Sequence, residues 1–206
     1  GGDYINENLL AELENYINQK IDLIKFKMTL VDSKGNKIKK IEGPIFEKCC
    51  GEEAFLKLFG KDNYLEVACV YLYRKEFFKQ NHFKNNYHQN YGGAYHEDFG
   101  LTPLILLKAK TVVSVENYGY YYIQDENSIT RNDNYDKQID KANDLLIHYD
   151  TMIEFLKKNI SPNTTAPIIK YCFFSNINSL IFSKSIIFTS LFKYAKKPRI
   201  SSGLFN

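Results

Sequence analysis

Tyr95-His96-Glu97-Asp98-Phe99 joins two acids to the head of an apolar helix, and Tyr118-Gly119-Tyr120-Tyr121-Tyr122-Ile123 follows that helix as a tyrosine-rich strand. The helix is expected to run from Phe99 to Lys110, with Pro103 in its first turn and Leu101, Leu104, Ile105 and Leu107 turned to the core. Carboxylates at a helix start lie beside unpaired main-chain N–H groups and the positive end of the helix dipole, which favours their ionised form. Such a pair is placed to accept a proton. Behind the helix, Thr111 to Val115 and Tyr118 to Ile123 are β-rich and near enough in sequence to pair with each other.

Upstream, Asn6 or Asn8 can cap a helix in which Leu9, Leu10, Leu13, Tyr16 and Ile17 form one face as far as Asn18. From Ile21 the period changes to two. Ile24, Phe26, Met28 and Leu30 alternate with Leu23, Lys25, Lys27 and Thr29, which predicts a half-buried strand. Ser33-Lys34-Gly35-Asn36 supplies the turn of a hairpin returning through Ile38 and Ile41. Gly51-Glu52-Glu53 heads a short helix carrying Phe55, Leu56, Leu58 and Phe59 and ending near Gly60. Leu65 to Leu72 reads as a buried strand or a buried helix, and Arg74 to Phe78 as a helix before a polar, aromatic loop from Gln80 to Gly93. Beyond Asn132, Ile139, Leu145, Leu146, Tyr149, Ile153 and Leu156 predict one long helix, broken at Ser161-Pro162. The fold class is mixed α/β, with residues 1–131 as one unit and 132–206 as a helical C-terminal subdomain.

The chain has 206 residues and a formal net charge of +3, from interspersed lysines and acids. That charge is too small and too mixed to imply a nucleic-acid partner. Cys49, Cys50, Cys69 and Cys172 show no C-x-x-C spacing, so reduced thiols and a cytoplasmic location are expected. No leader pattern opens the sequence. Residues 168–199 hold no run of about 18 apolar residues. An amphipathic helical pair packed on the rest is expected there, with Lys193, Lys196, Lys197 and Arg199 offering weak peripheral contact to anionic lipid at the inner face of a membrane. His82, His88 and His96 match no metal-ligand spacing, and His148 falls in a helical pattern with a structural role. Tyrosines 118, 120, 121 and 122 read as a strand whose alternate rings pack inward, with Tyr120 or Tyr122 as the exception able to stack a sugar ring.

In chain order, Asp3-Tyr4-Ile5, Asp22-Leu23-Ile24, Leu72-Tyr73-Arg74, Glu97-Asp98 and Asn127-Ser128-Ile129-Thr130 resemble the family 2 glycosyltransferases of the GT-A fold, over about Asp3 to Arg131. The resemblance implies inverting transfer of a sugar from a nucleotide-sugar donor to a cell-surface or capsule glycan, or a lipid-linked acceptor. It makes Asp98 the general base and Glu97 its neighbour. It assigns Asp3, Gln124, Ser128 and Arg131 to the donor diphosphate, and His88, Tyr95 and His96 to the acceptor. Gln124 stands where the family often has an arginine. In the family an Asp-x-Asp motif holds a divalent metal, Mg2+ or Mn2+. Here Asp3 is the retained carboxylate, while the other positions are Gly2 or precede residue 1. The expectation is therefore the acceptor-binding half of such a domain, with the metal held by the full-length enzyme and none by this chain alone. A non-catalytic glycan-binding or interaction module is the alternative.

Overall fold

The computed structural model describes residues 2–58, 65–81, 83, 97–124 and 135–160. Along the chain come β1 (Tyr4–Ile5), α1 (Leu9–Glu12), α2 (Glu14–Asn18), β2 (Leu23–Val31), β3 (Lys37–Ile41), β4 (Phe46–Cys49) and α3 (Gly51–Leu58). A 3-10 turn at Ala68–Val70 leads into β5 (Tyr71–Tyr73) and α4 (Lys75–Gln80). Then follow α5 (Glu97–Lys108), β6 (Val112–Ile123) and α6 (Tyr135–Asn159). The architecture is mixed α/β around a curled mixed sheet.

The parallel pair β2 and β6 forms the middle of the sheet, from Leu23 beside Val112 to Val31 beside Ile123. Short antiparallel strands line both flanks. β5 and then β3 pair along β2, while β4 and then β1 pair along β6. Thr111 to Val115 and Tyr118 to Ile123 therefore do not pair with each other, as the sequence suggests, but belong to one strand bulged at Gly119. Between Lys27 and Met28 the partner advances from Tyr118 to Tyr120, leaving Gly119 as the extra residue. A methyl group on Gly119 would come to 2.5 Å of Phe26 Cδ2 and 2.7 Å of Leu9 Cδ1, so the bulge lets α1 close on the sheet.

The hairpin between β2 and β3 forms as its turn chemistry requires. Gly35 takes a φ of 83°, and Asp32 accepts hydrogen bonds from the N–H groups of Lys34 and Asn36, both at 2.8 Å. The first helix is broken at Leu13 into α1 and α2. Leu9 and Leu13 are buried, whereas Leu10 and Ile17 face solvent. The run from Leu65 to Leu72 resolves into the 3-10 turn and β5. α5 begins at Glu97, so Pro103 lies inside the helix rather than in its first turn, at the cost of one main-chain hydrogen bond. α6 packs along α5: Met152 and Leu156 join the core, and Lys108 Nζ donates to Asn159 Oδ1 at 2.7 Å.

The largest departure from the sequence pattern is β2, which is buried on both faces, Lys25, Lys27 and Thr29 included. The chain leaving β3 crosses over this second face to reach β4 on the far side of β6. Ser114 Oγ donates to Pro44 O at 2.8 Å beneath that crossing, and Lys25, Lys27 and Ser114 line the crevice under Glu42 to Ile45. Lys27 Nζ meets Glu42 Oε2 and Glu116 Oε2, both at 2.6 Å. Burial alone would lower its pKa, but the hydrogen bonds with Glu116 and Glu42 outweigh it and hold the amine above its ordinary value.

Lys25 has no such carboxylate pair. Its Nζ lies 5.5 Å from the centre of the Tyr71 ring, and burial, only partly offset by the charge of Glu66, pushes its pKa down to about 8. The folded protein then binds this proton less tightly than the unfolded chain, so stability rises with pH from about 8 to the ordinary lysine value of 10.5. Lys25→Met is expected to raise stability at pH 7 by about 2 kcal/mol, with the advantage shrinking above pH 8. Urea titrations at pH 7 and pH 10 check this; an equal effect at both would remove the buried charge as the cause.

Candidate functional site

Asp3 immediately precedes β1, and pairing of β1 with β6 fixes where its carboxylate lies. Asp3 Oδ2 accepts from Tyr120 Oη at 2.9 Å, and Oδ1 accepts from the Ile123 N–H at 2.8 Å. Tyr4 stands opposite Tyr121 and Ile5 opposite Tyr120, so this strand pair carries both the acid and its phenol.

Asp98 is carried by α5. It occupies the first turn of the helix, half-buried, and its Oδ2 lies 3.5 Å from the N–H of Ala68 at the head of the 3-10 turn. Cys69 feels the charge of both acids. Burial is the main reason that its thiol is pushed up to about 11; a hydrogen bond with Tyr120 opposes this, and the charges of Asp98 and Asp3 add to it. The thiol is therefore protonated at neutral pH and is a small neutral group rather than a nucleophile. Tyr73 completes the wall. Its hydroxyl donates to Ala68 O at 3.0 Å, and burial, followed by the charges of Asp98 and Cys69, raises its pKa. Tyr120 is likewise raised, by burial first and then by its bond to Asp3. Cys69, distant in sequence from both, thus lies within electrostatic reach of Asp98 and of the bonded pair Asp3 and Tyr120.

A third acid frames the start of β2. Asp22 is buried and accepts from Arg74 Nε at 3.1 Å, from the Lys110 N–H at 2.8 Å and from the Thr111 N–H at 3.2 Å. Its own N–H donates to Thr111 Oγ1 at 2.9 Å. This carboxylate ties the start of β2 to the β5–α4 junction and to the connection from α5 into β6.

Of the residues assigned from sequence, Asp3 bonds Tyr120 and Asp98 lies beside Ala68, both within electrostatic reach of Cys69. Gln124 follows β6 directly, and its N–H donates to Val31 O at 2.9 Å. Glu97 opens α5, and its side chain lies outside what the structure describes. His82, His88, Tyr95, His96, Ser128, Arg131 and residues 168–199 also lie outside the described residues. Tyr120 and Tyr122 are half-buried and pack against the core. Tyr121 instead stacks on Tyr4 on the other face of the sheet, with ring centres 4.7 Å apart. Cys69 was not legible as a site residue, because nothing local distinguishes it from core.

Among the described residues, no three His, Cys, Asp or Glu side chains form a group that could hold a metal, and both Asp3 oxygens already accept hydrogen bonds. One carboxylate so engaged does not make the oxygen set a divalent cation takes. No described helix is long and apolar enough to cross a membrane.

No protein-family model matches the sequence, and no curated protein matches it. Among solved structures, the chain is similar to the crystal structure of S. aureus TarS 1-349, a glycosyltransferase, with 14% sequence identity and a TM-score of 0.54. The match covers 89% of this chain and 48% of the other, so the chain spans about half the length of that structure. The likeness is one of fold, a glycosyltransferase-like arrangement of a mixed sheet and helices.

Proposed function

We propose that this chain is part of an inverting glycosyltransferase of the family 2, GT-A type, in which Asp98 is the general base. The observation that carries the reading is the glycosyltransferase-like fold, in which Asp98 stands at the head of α5 beside the Ala68 N–H and Asp3 is bonded to Tyr120. In the reaction, an acceptor hydroxyl gives its proton to the Asp98 carboxylate while its oxygen bonds to the anomeric carbon of a nucleotide sugar. The bond from that carbon to the diphosphate breaks on the opposite face, and the nucleoside diphosphate departs with the electron pair. Asp98 suits the first task because it stands at a helix head, where the dipole favours the carboxylate. Asp3, held by Tyr120 and the Ile123 N–H, is assigned to the donor side, with Gln124, Ser128 and Arg131. The acceptor is a cell-surface or capsule glycan, or a lipid-linked sugar, met by His88, Tyr95 and His96. The resemblance to the family brings Mg2+ or Mn2+ with the donor, although the described residues do not assemble its ligands. No step above depends on it.

The test is release of nucleoside diphosphate by the full-length protein from a panel of nucleoside diphosphate sugars, with and without Mg2+ or Mn2+. Turnover that rises with an added glycan acceptor is expected. Glycan binding with no turnover of any donor would replace the reading with a non-catalytic glycan-binding module.

A further inference from the structure

The face of the sheet opposite the Asp3–Tyr120 bond carries a surface distinct from the proposed site of transfer. Strand register sets one row straight across it: Lys40 beside Thr29, Thr29 beside Tyr121, and Tyr121 beside Tyr4. One step along, Lys37 stands beside Val31. Thr29 and Val31 are buried under this layer, so its outer surface is made by the flanking tyrosines and lysines. Tyr4 and Tyr121 stack nearly parallel, at 12°, and Tyr4 is 43% exposed. Lys40 Nζ sits 4.3 Å from the centre of the Tyr118 ring.

Charge on this edge is unequally satisfied. Lys34, Lys37, Lys39 and Lys40 are all exposed, and none belongs to a salt bridge among the described residues. The nearby acids are occupied: Asp32 turns its oxygens onto its own turn, and Glu42 and Glu116 are drawn down to Lys27. Lysines on an edge strand discourage pairing with another strand, which accounts for their number. It does not account for a stacked pair of tyrosines in the same row.

We propose that Tyr4, Tyr121, Lys37 and Lys40 form a binding surface for an anionic polysaccharide, separate from the site of transfer. The C–H face of a sugar ring packs on the exposed Tyr4–Tyr121 stack, and carboxylate or phosphate groups along the polymer meet the lysines. A polymer held there would keep its chain near the protein between encounters with the opposite face. The proposal does not rest on transfer activity, because binding is measured without turnover.

Affinity electrophoresis and titration with polygalacturonate at about 0.15 M salt test it, with dextran as a neutral glycan, and polyphosphate and a single-stranded oligonucleotide as non-glycan polyanions. Polygalacturonate is expected to retard the protein and dextran to do so far less. Lys37→Ala/Lys40→Ala should weaken polygalacturonate and polyphosphate binding alike, by about fivefold or more. Tyr4→Ala should weaken only polygalacturonate, again by about fivefold. Tyr121→Thr repeats this from the neighbouring strand should Tyr4→Ala lower the melting temperature. No retardation by polygalacturonate, an unchanged affinity in both tyrosine variants, or tighter binding of the oligonucleotide would each overturn the proposal.

Discussion

Replacing Asp98 by asparagine is expected to lower sugar transfer by ~10²–10⁴-fold while leaving the fold and donor binding in place. The amide has the size of the carboxylate but cannot take up the acceptor proton, so the attacking oxygen must lose that proton to water. The amide oxygen can still face the Ala68 N–H, from which Asp98 Oδ2 lies 3.5 Å away, so little else at the head of α5 should change. Glu97→Gln should cost less. The measurements are kcat and KM for nucleoside diphosphate release with acceptor present, and a thermal melt of each variant. A fall in kcat with KM and melting temperature unchanged fits a base that acts in the chemical step. Near-normal transfer by Asp98→Asn with a dead Glu97→Gln would move the role to Glu97.

The second large effect is on stability, at Asp22. Asp22→Asn should cost about 3 kcal/mol, because the amide leaves the Arg74 guanidinium uncompensated and cannot accept from Arg74, Lys110 and Thr111 together. Arg74 is 30% exposed, so water recovers part of the loss on that side. The main-chain donors on Lys110 and Thr111 have less access to such relief, since Asp22 is 2% exposed above them. Urea unfolding of the variant gives the value directly. A loss below about 1 kcal/mol would mean that the surrounding elements hold this junction without the carboxylate. Arg74→Met should cost a comparable amount, because it leaves the buried Asp22 carboxylate without its counter-charge, although both main-chain donors remain.

The two acids differ in how plainly the sequence announces them. Glu97 and Asp98 stand before an apolar run, and helix-start chemistry acts over a few residues, so the start of α5 is readable from neighbours alone. The same holds for the hairpin at Ser33 to Asn36, for the helix at Gly51 and for the 3.6-residue pattern of α6. Asp22 shows only as an acid at the start of a strand. Its partners are Arg74, Lys110 and Thr111, and no local pattern joins them.

What the sequence by itself determined is therefore each element whose cause lies within its own few residues: turn geometry, helix starts and the alternation that makes β2 a strand. The tertiary structure decided which strands are neighbours. β2 pairs in parallel with β6, although the residues in register are some ninety positions apart, as with Leu23 and Val112. It also decided that the return from β3 would cross over β2 and bury Lys25 and Lys27, which alternation alone assigns to solvent. Asp3 reaches Tyr120 only because β1 joins the far flank of β6, and Asp98 comes beside Ala68 only because α5 packs where it does. The physical reason is range: propensity, capping and periodicity act through bonds and adjacent turns, whereas strand partnership and burial follow from closing long loops around a shared core, and many pairings satisfy the same local pattern.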